Sequence, residues 1–192
     1  MKEHIFLQLF LILTCSFSSS IHGENSSPKD HKLGWNSKEL VTLYFHNSEL
    51  QTQWAWEALS KYRFKGHEKI LDFGSGTGKL SALMSFMVPE GEVTGIDISD
   101  DMVFYSKKMF PKEHYHNLKF LLSPDIDFEN FSENKFDLVT SFCVFHLIPN
   151  PSVVLQNLKK AMSPNGHLVI TLPIGRNAEF FKQYLKKCTR GD

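Results

Sequence analysis

The chain has 192 residues, of which 42% are hydrophobic and 22% are charged, so it is long enough to bury the core of one globular domain. Basic and acidic side chains number 21 each and form no basic run, which gives no indication of a nucleic-acid or anionic-lipid partner. The cysteines, Cys15, Cys143 and Cys188, have no zinc-type spacing, and we expect no metal site.

The first 23 residues have the pattern of a secretory signal peptide. Lys2 precedes an apolar run over residues 5–13, and small residues follow it. The run is too short to cross a bilayer as a helix, but a basic start, a short apolar core and small residues are typical of a cleaved leader. We therefore expect a signal peptide over residues 1–23, no stable membrane span, and a polar linker over residues 24–35. The alternative is an amphipathic extension.

Two helices are expected between residues 36 and 62. In the second helix Leu50, Trp54, Ala58 and Tyr62 recur every four residues, which predicts one buried stripe, and Ser48 is its candidate N-cap. Aromatic side chains of this region are candidates for a lid over a ligand, with ordinary helix packing as the alternative; they are Trp35, Tyr44, Trp54 and Trp56.

From residue 69 onward, strand and helix patterns alternate. Short apolar segments predict strands over residues 69–73, 92–98, 118–122, 136–142 and 167–172. Helical spacing predicts helices over residues 80–87, over 100–109, from Pro151 onward and over 180–188. Ser99 and Asn150 are the candidate N-caps of the second and third of these helices. The first has an apolar face of Leu80, Leu83, Met84 and Met87. Residues 163–166 predict a turn.

This alternation predicts an α/β fold. Strands that are apolar almost throughout are typical of a parallel sheet covered by helices on both faces, so we expect a doubly wound, Rossmann-like domain over residues 36–192 with its core over 66–175. Ligands of such sheets bind beyond the carboxyl ends of the strands, where the strand order reverses.

A glycine-rich turn follows the first of these strands, in Asp72-Phe73-Gly74-Ser75-Gly76-Thr77-Gly78. A dinucleotide site needs G-x-G-x-x-G, but Lys79 takes the place of the last glycine. A P-loop needs a hydroxyl residue where Leu80 stands. The carboxylate of Asp72 would repel a pyrophosphate, whereas it suits a ligand with an ammonium group, such as S-adenosylmethionine.

Asp97 ends the next strand, about twenty residues beyond the glycines, a position from which a carboxylate can accept both ribose hydroxyls. The alternative role for Asp97 is a helix cap, which Ser99 fits better.

Together, the glycine segment, Asp97 and Phe136-Asp137-Leu138-Val139 resemble the successive motifs of class I S-adenosylmethionine-dependent methyltransferases, over residues 47–172. Within that family the chain is similar to small-molecule enzymes of the methyltransferase-11/25 type, such as the trans-aconitate and juvenile-hormone-acid methyltransferases. The resemblance implies S-adenosylmethionine as cofactor and a small-molecule acceptor, for instance a carboxylate or a hydroxyl, methylated by in-line transfer.

The resemblance also assigns roles by position. Asp72, through water, and Gly74 would hold the methionine end of the cofactor, and Gly76 and Gly78 would form the wall of its site. Further cofactor contacts would come from Ser75, Asp97, Ile98, Met102, Phe142 and Gln51, the last from Ser48-Glu49-Leu50-Gln51, which resembles an Asn/Ser-x-x-Gln helix of the family.

One segment departs from the family pattern. The third strand of the family commonly ends in Gly-Asp, whose acid binds the adenine amino group, whereas here Asp125 is displaced behind Pro124. Asp125 stays our candidate for the adenine contact, with a solvated loop acid as the alternative. His146, after the fourth strand, is the candidate catalytic base; a substrate contact and a structural histidine are its alternatives.

The family normally adds two more strands after the last helix, and this sequence offers none. The strand over residues 167–172 is then expected to be an exposed edge, through which the chain could form a homodimer. A signal peptide predicts export, whereas use of S-adenosylmethionine predicts a cytoplasmic protein. An active methyltransferase, a non-catalytic or truncated cofactor-binding remnant, and more weakly an NAD-dependent oxidoreductase all remain open.

Overall fold

A computed structural model describes residues 7–10, 37–122 and 136–172. Its strands form one sheet in the order β1-β6-β5-β2-β3-β4, and every neighbouring pair is parallel. The strands are β1 Leu7–Phe10, β2 Lys69–Phe73, β3 Glu92–Asp97, β4 Leu118–Leu122, β5 Phe136–Phe142 and β6 Met162–Thr171. The predicted parallel α/β fold is confirmed.

Helices cover this sheet: α1 Lys38–Asn47, α2 Glu49–Leu59, α3 Lys79–Met87, α4 Asp100–Met109 and α5 Pro151–Ala161, with a 3-10 turn at Phe145–Leu147. The predicted cap of α4 is confirmed, because Ser99 Oγ accepts the N–H of Met102 at 3.3 Å. Ser48 and Asn150 also occupy N-cap positions, but their side chains make no capping hydrogen bond.

The strand order reverses between β2 and β5. From β2 the chain continues to β3 and β4 on one side, whereas β5 and β6 lie on the other. Helix α5 packs on one face through Val154, Leu155 and Leu158, which join Leu71 and Val139 in one buried cluster. The other face carries α2, α3 and α4. The carboxyl ends of β2 and β5 therefore border the crevice where such sheets bind ligands.

Two predicted helix faces were wrong in detail. In α2 the buried residues are Ala55, Ala58 and Leu59, while Leu50 is 61% exposed. In α3 the buried residues are Ser81, Ala82, Met84 and Ser85, while Met87 is 37% exposed. In both helices small side chains lie against the sheet. The spacing of large apolar residues alone does not reveal a buried face that is made of Ala and Ser.

The turn predicted at residues 163–166 was also wrong. These residues belong to β6, which begins at Met162 and pairs with Phe136 across a register shift between Phe136 and Leu138. Gly166 makes the close approach possible, since a Cβ there would lie 2.8 Å from the Phe136 carbonyl oxygen. The register shift accommodates the Ser-Pro-Asn-Gly segment as extra residues within β6, so the strand continues through it.

The edge of β6 is not left unpaired. Leu7–Phe10 runs parallel to it, with Leu7 opposite Leu168 and Phe10 opposite Thr171. With residues 7–10 in place, the edge that was expected to be exposed is paired instead, because β1 supplies its backbone partners. Cleavage of the predicted signal peptide would remove β1 and expose that edge. The signal peptide over residues 1–23 stays a prediction, and the helix predicted over 180–188 lies outside the described residues. No helix among the described residues is long and apolar enough to span a membrane.

Candidate active site

The glycine turn leaves the end of β2 through three left-handed residues. Gly74, Gly76 and Gly78 have φ of 75°, 53° and 80°. The N–H groups of Gly74 and Ser75 donate to the Ile96 carbonyl oxygen at 2.8 and 2.9 Å, which ties the turn to β3. The sharp turn predicted from the sequence is present, and glycine is the residue that adopts this conformation at least cost.

The three glycines have different surroundings. A Cβ at Gly78 would lie 2.6 Å from the Phe120 ring, and one at Gly74 would lie 2.8 Å from Val144 Cγ1. At Gly76 only the Tyr44 ring lies within 4 Å, at 3.8 Å. Gly74 and Gly78 are therefore required by packing, whereas Gly76 faces the open side of the turn.

Asp97 connects the glycine turn to the start of α4. Its Oδ2 accepts the N–H of Gly76 at 2.8 Å, and its Oδ1 accepts the N–H of Ser99 at 2.9 Å. Burial raises the pKa of the Asp97 carboxyl, and these backbone donors oppose that shift. A carboxylate has about four acceptor positions, and the backbone of Ile98 also donates toward this one, so acceptor capacity for a further donor remains.

Asp72 has a different environment at the same edge of the sheet. It is 2% exposed, and it accepts hydrogen bonds from Ser81 Oγ at 2.5 Å and from Thr140 Oγ1 at 2.9 Å. Burial raises the pKa of Asp72 to about 6. Sequence reasoning missed both hydroxyl partners. The parallel pairing of β2 with β5, which places Thr140 opposite Asp72, was the signal that could have found one of them.

Helix α1 covers the open side of the turn. Tyr44 stands against Gly76, and burial, with nearby acidic groups that include Asp97, raises the pKa of Tyr44 to about 12. Of the other lid candidates, Trp56 is 45% exposed, Trp54 is half-buried, and Trp35 lies outside the described residues. The aromatic cover that the structure supports is therefore Tyr44.

Two further predicted cofactor residues carry buried polar atoms. Gln51 Oε1 and Ser75 Oγ are inaccessible to solvent and have no hydrogen-bond partner within residues 37–122 and 136–172. A buried polar atom without a partner is costly, so these atoms call for a polar ligand. Ser75 lies on the glycine turn itself, and Gln51 lies in the first turn of α2.

The other residues predicted to contact the cofactor differ in how much of their side chains is exposed. Ile98 is 48% exposed beside Asp97, where it can meet a flat apolar group, whereas Met102 is only 3% exposed. Phe142 is 7% exposed and belongs to the buried cluster beneath α2, so the structure gives it a packing role. Asp125 lies outside the described residues.

The end of β5 carries the other half of the site. Cys143 has φ of 57°, a left-handed conformation that is unusual for a side-chain-bearing residue, and its N–H donates to Thr171 O at 3.0 Å. Burial raises the pKa of the Cys143 thiol. His146 follows on the 3-10 turn, where burial lowers its pKa and its buried Nδ1 has no partner among the described residues.

Comparison with known proteins identifies the family of the chain. A family model described as a methyltransferase domain matches residues 64–191. Juvenile hormone acid O-methyltransferase of Drosophila melanogaster is 32% identical over 139 residues, which are 66% of this chain and 45% of the relative. Demethylmenaquinone methyltransferase of Listeria welshimeri is 27% identical over 121 residues, 62% of this chain and 51% of the relative. The chain spans about half the length of these curated relatives.

The fold has a solved counterpart. The crystal structure of a SAM-dependent methyltransferase from Aquifex aeolicus superposes with a TM-score of 0.63 at 23% identity, covering 79% of this chain and 87% of that one. The family match covers more than half of the chain, and the fold match extends over most of it. The chain therefore belongs to the class I S-adenosylmethionine-dependent methyltransferases.

Proposed function

We propose that the chain binds S-adenosylmethionine at the carboxyl ends of β2, β3 and β5 and transfers its methyl group to a small molecule. The observation that carries the proposal is the Asp97 carboxylate, which backbone N–H groups of Gly76 and Ser99 hold in place beside the glycine turn. Its free acceptor capacity suits the two hydroxyls of a ribose. The exposed side chain of Ile98 beside it suits one face of an adenine.

The charges of the site favour this cofactor over a dinucleotide. Asp72 and Asp97 are two acids at neighbouring strand ends, and a pyrophosphate would bring further negative charge close to both. An amino-acid ammonium is instead attracted to the Asp72 side, and the unpartnered oxygens of Gln51 and Ser75 offer further polar contacts. These residues fit the methionine end of the proposed ligand.

S-adenosylmethionine supplies a methyl group activated on a sulfonium. The protein then has to hold the acceptor in line and, where needed, remove its proton. Because burial lowers the pKa of His146, its imidazole is neutral at pH 7 and can take a proton from a hydroxyl acceptor. A carboxylate acceptor would need no base. Two relatives are named for small-molecule acceptors, which supports that class here.

Isothermal titration calorimetry with S-adenosylmethionine and S-adenosylhomocysteine tests the binding step. We expect saturable binding by the wild type and about 100-fold weaker binding by Asp97→Asn. The substitution removes the charge and replaces one of the two oxygens, each of which accepts a backbone N–H, with an amide nitrogen that cannot accept. Asp100→Asn is the matched control, since Asp100 is an exposed acid three residues away. No heat with the wild type would contradict the proposal.

Catalysis needs its own experiment. A transfer assay with a labelled methyl group, run against panels of small carboxylic acids and small alcohols, distinguishes an active enzyme from a binding domain. Binding without transfer to any acceptor would favour the non-catalytic alternative. Saturable quenching of NADH fluorescence, combined with no binding of S-adenosylhomocysteine, would favour the oxidoreductase.

A further inference from the structure

Lys79 lies at an electrostatically unfavourable position in its own helix. It is the first residue of α3, directly after Gly78, and Gly78 provides no side-chain cap. The amino end of a helix carries partial positive charge and favours acids, so a lysine there loses free energy unless its ammonium reaches another partner. The first turn of α3 contains no acidic residue.

The ammonium group of Lys79 reaches the opposite end of a different helix. Its Nζ donates a hydrogen bond to the carbonyl oxygen of Phe45 and stands 4.2 Å from the centroid of the Phe45 ring. Phe45 lies in the last turn of α1, which ends at Asn47, and carbonyl groups there carry the partial negative charge that favours a cation. The ammonium charge of Lys79 therefore interacts favourably with the carboxyl end of α1 and unfavourably with the amino end of its own helix, α3.

Phe45 makes a second contact in the same region. Its ring lies 5.3 Å from the ring of Tyr105, on α4. Phe45 thus joins α1 to the helices that follow β2 and β3, which are the two strands that carry the glycine turn and Asp97. The preceding residue, Tyr44, is the one that stands against Gly76.

We propose that Lys79 is a positioning residue, whose hydrogen bond and ring contact with Phe45 hold α1 over the glycine turn so that Tyr44 closes the cofactor site. This inference rests on the proposed function, because the site that is closed is the one proposed for S-adenosylmethionine. It also gives a physical role to the lysine that replaces the last glycine of a dinucleotide motif.

The test compares Lys79→Met with Lys79→Arg and with Lys159→Met, an exposed lysine on α5 that serves as the matched control. We expect Lys79→Met to weaken S-adenosylhomocysteine binding about tenfold, as the loss of one charge-assisted hydrogen bond implies. Lys79→Arg should restore most of the affinity, and Phe45→Leu, which keeps the backbone carbonyl but removes the ring, should give a smaller loss.

Hydrogen exchange gives a readout that does not depend on activity. We expect the amides of residues 38–47 to exchange faster in Lys79→Met than in the wild type, and S-adenosylhomocysteine to protect them less. Unchanged affinity and unchanged exchange in a folded Lys79→Met variant would overturn the inference, as would tighter binding, which would mean that Lys79 merely repels the ligand. If the wild type binds no S-adenosylhomocysteine, the proposed function fails instead.

Discussion

The two halves of the crevice are built in different ways. On the β2 and β3 side, backbone groups form the site: three left-handed glycines shape the turn, and N–H groups hold the Asp97 carboxylate. On the β5 side the turn contains no glycine: Cys143 holds the left-handed conformation with a side chain in place, and the His146 side chain has an unpartnered buried nitrogen. Both halves keep unused hydrogen-bonding capacity, at Ser75 Oγ in the first and at His146 Nδ1 in the second, so they differ in how the chain is held and not in how completely it is paired.

This difference matches the two tasks of a methyltransferase. All members of the family use the same cofactor, and backbone groups suit such a constant ligand because their positions do not depend on side-chain rotamers. The relatives are named for different acceptors, and the proposed acceptor side lies on a segment where side chains can vary without disturbing the glycine turn.

The largest effect is expected from Gly78→Ala in the backbone-built half. Its Cβ would lie 2.6 Å from the Phe120 ring and 2.8 Å from Ser106 Cβ, at a φ of 80°. Left-handed strain and overpacking together should lower the free energy of unfolding by about 3 to 4 kcal/mol in urea denaturation. Gly76→Ala is the matched control, since the nearest neighbour of its Cβ, the Tyr44 ring at 3.8 Å, leaves room for a methyl group and only the strain remains, about 1 kcal/mol. Equal losses at both positions would contradict the packing role of Gly78.

Asp72 lies where the two halves meet, because its partners come from α3 and from β5. Burial raises its pKa from 3.8 to about 6, so the native state binds the proton more tightly than the unfolded chain does. The stabilisation from this group is present below about pH 4 and is lost as the pH rises through 6. Asp72→Asn should therefore be more stable than the wild type at pH 7, by at most about 3 kcal/mol, and similar to it near pH 4.

Urea denaturation at several pH values between 4 and 7.5 measures this difference, with Asp100→Asn as the exposed control. A variant that is less stable than the wild type at pH 7 would show that the hydrogen bonds from Ser81 and Thr140 outweigh the cost of burying the charge. Either result also tells how far the interior around Asp72 resists ionisation before a cationic ligand binds.

The side-chain half is tested by His146→Gln. For a hydroxyl acceptor we expect kcat to fall about 100-fold, as for other general bases, while the Kd for S-adenosylhomocysteine stays unchanged. Because burial lowers the pKa of His146, the acid limb of the wild-type rate profile should lie below 6.5 and be absent in the variant. His114→Gln, at an exposed position, is the control. An unchanged kcat would assign His146 a structural role or indicate a carboxylate acceptor.

The same contrast explains what the sequence could predict. The glycine turn, the strands β2 to β5 and the place of Asp97 at the end of β3 follow from local sequence patterns, such as Gly at left-handed positions, and they agree with the structure. The partners Ser81 and Thr140, and the contact of Lys79 with Phe45, depend on which elements become neighbours in space. Local spacing also failed at β6, where pairing with β5 extends a strand through a segment with turn composition.

The smallest effect is expected from Cys143→Gly. A left-handed conformation costs a residue with a side chain about 1 kcal/mol more than it costs glycine, and Cys143 has φ of 57°. The Cys143 thiol lies 3.9 Å from Thr171 Oγ1, a contact that Cys143→Ala and Cys143→Gly both lack. We therefore expect Cys143→Gly to be about 1 kcal/mol more stable in urea than Cys143→Ala, which keeps the strained backbone. Equal stability of the two variants would mean that the turn relaxes around alanine. If Cys143→Gly is more stable than Cys143→Ala but transfers the methyl group more slowly, the strained turn positions His146 toward the acceptor.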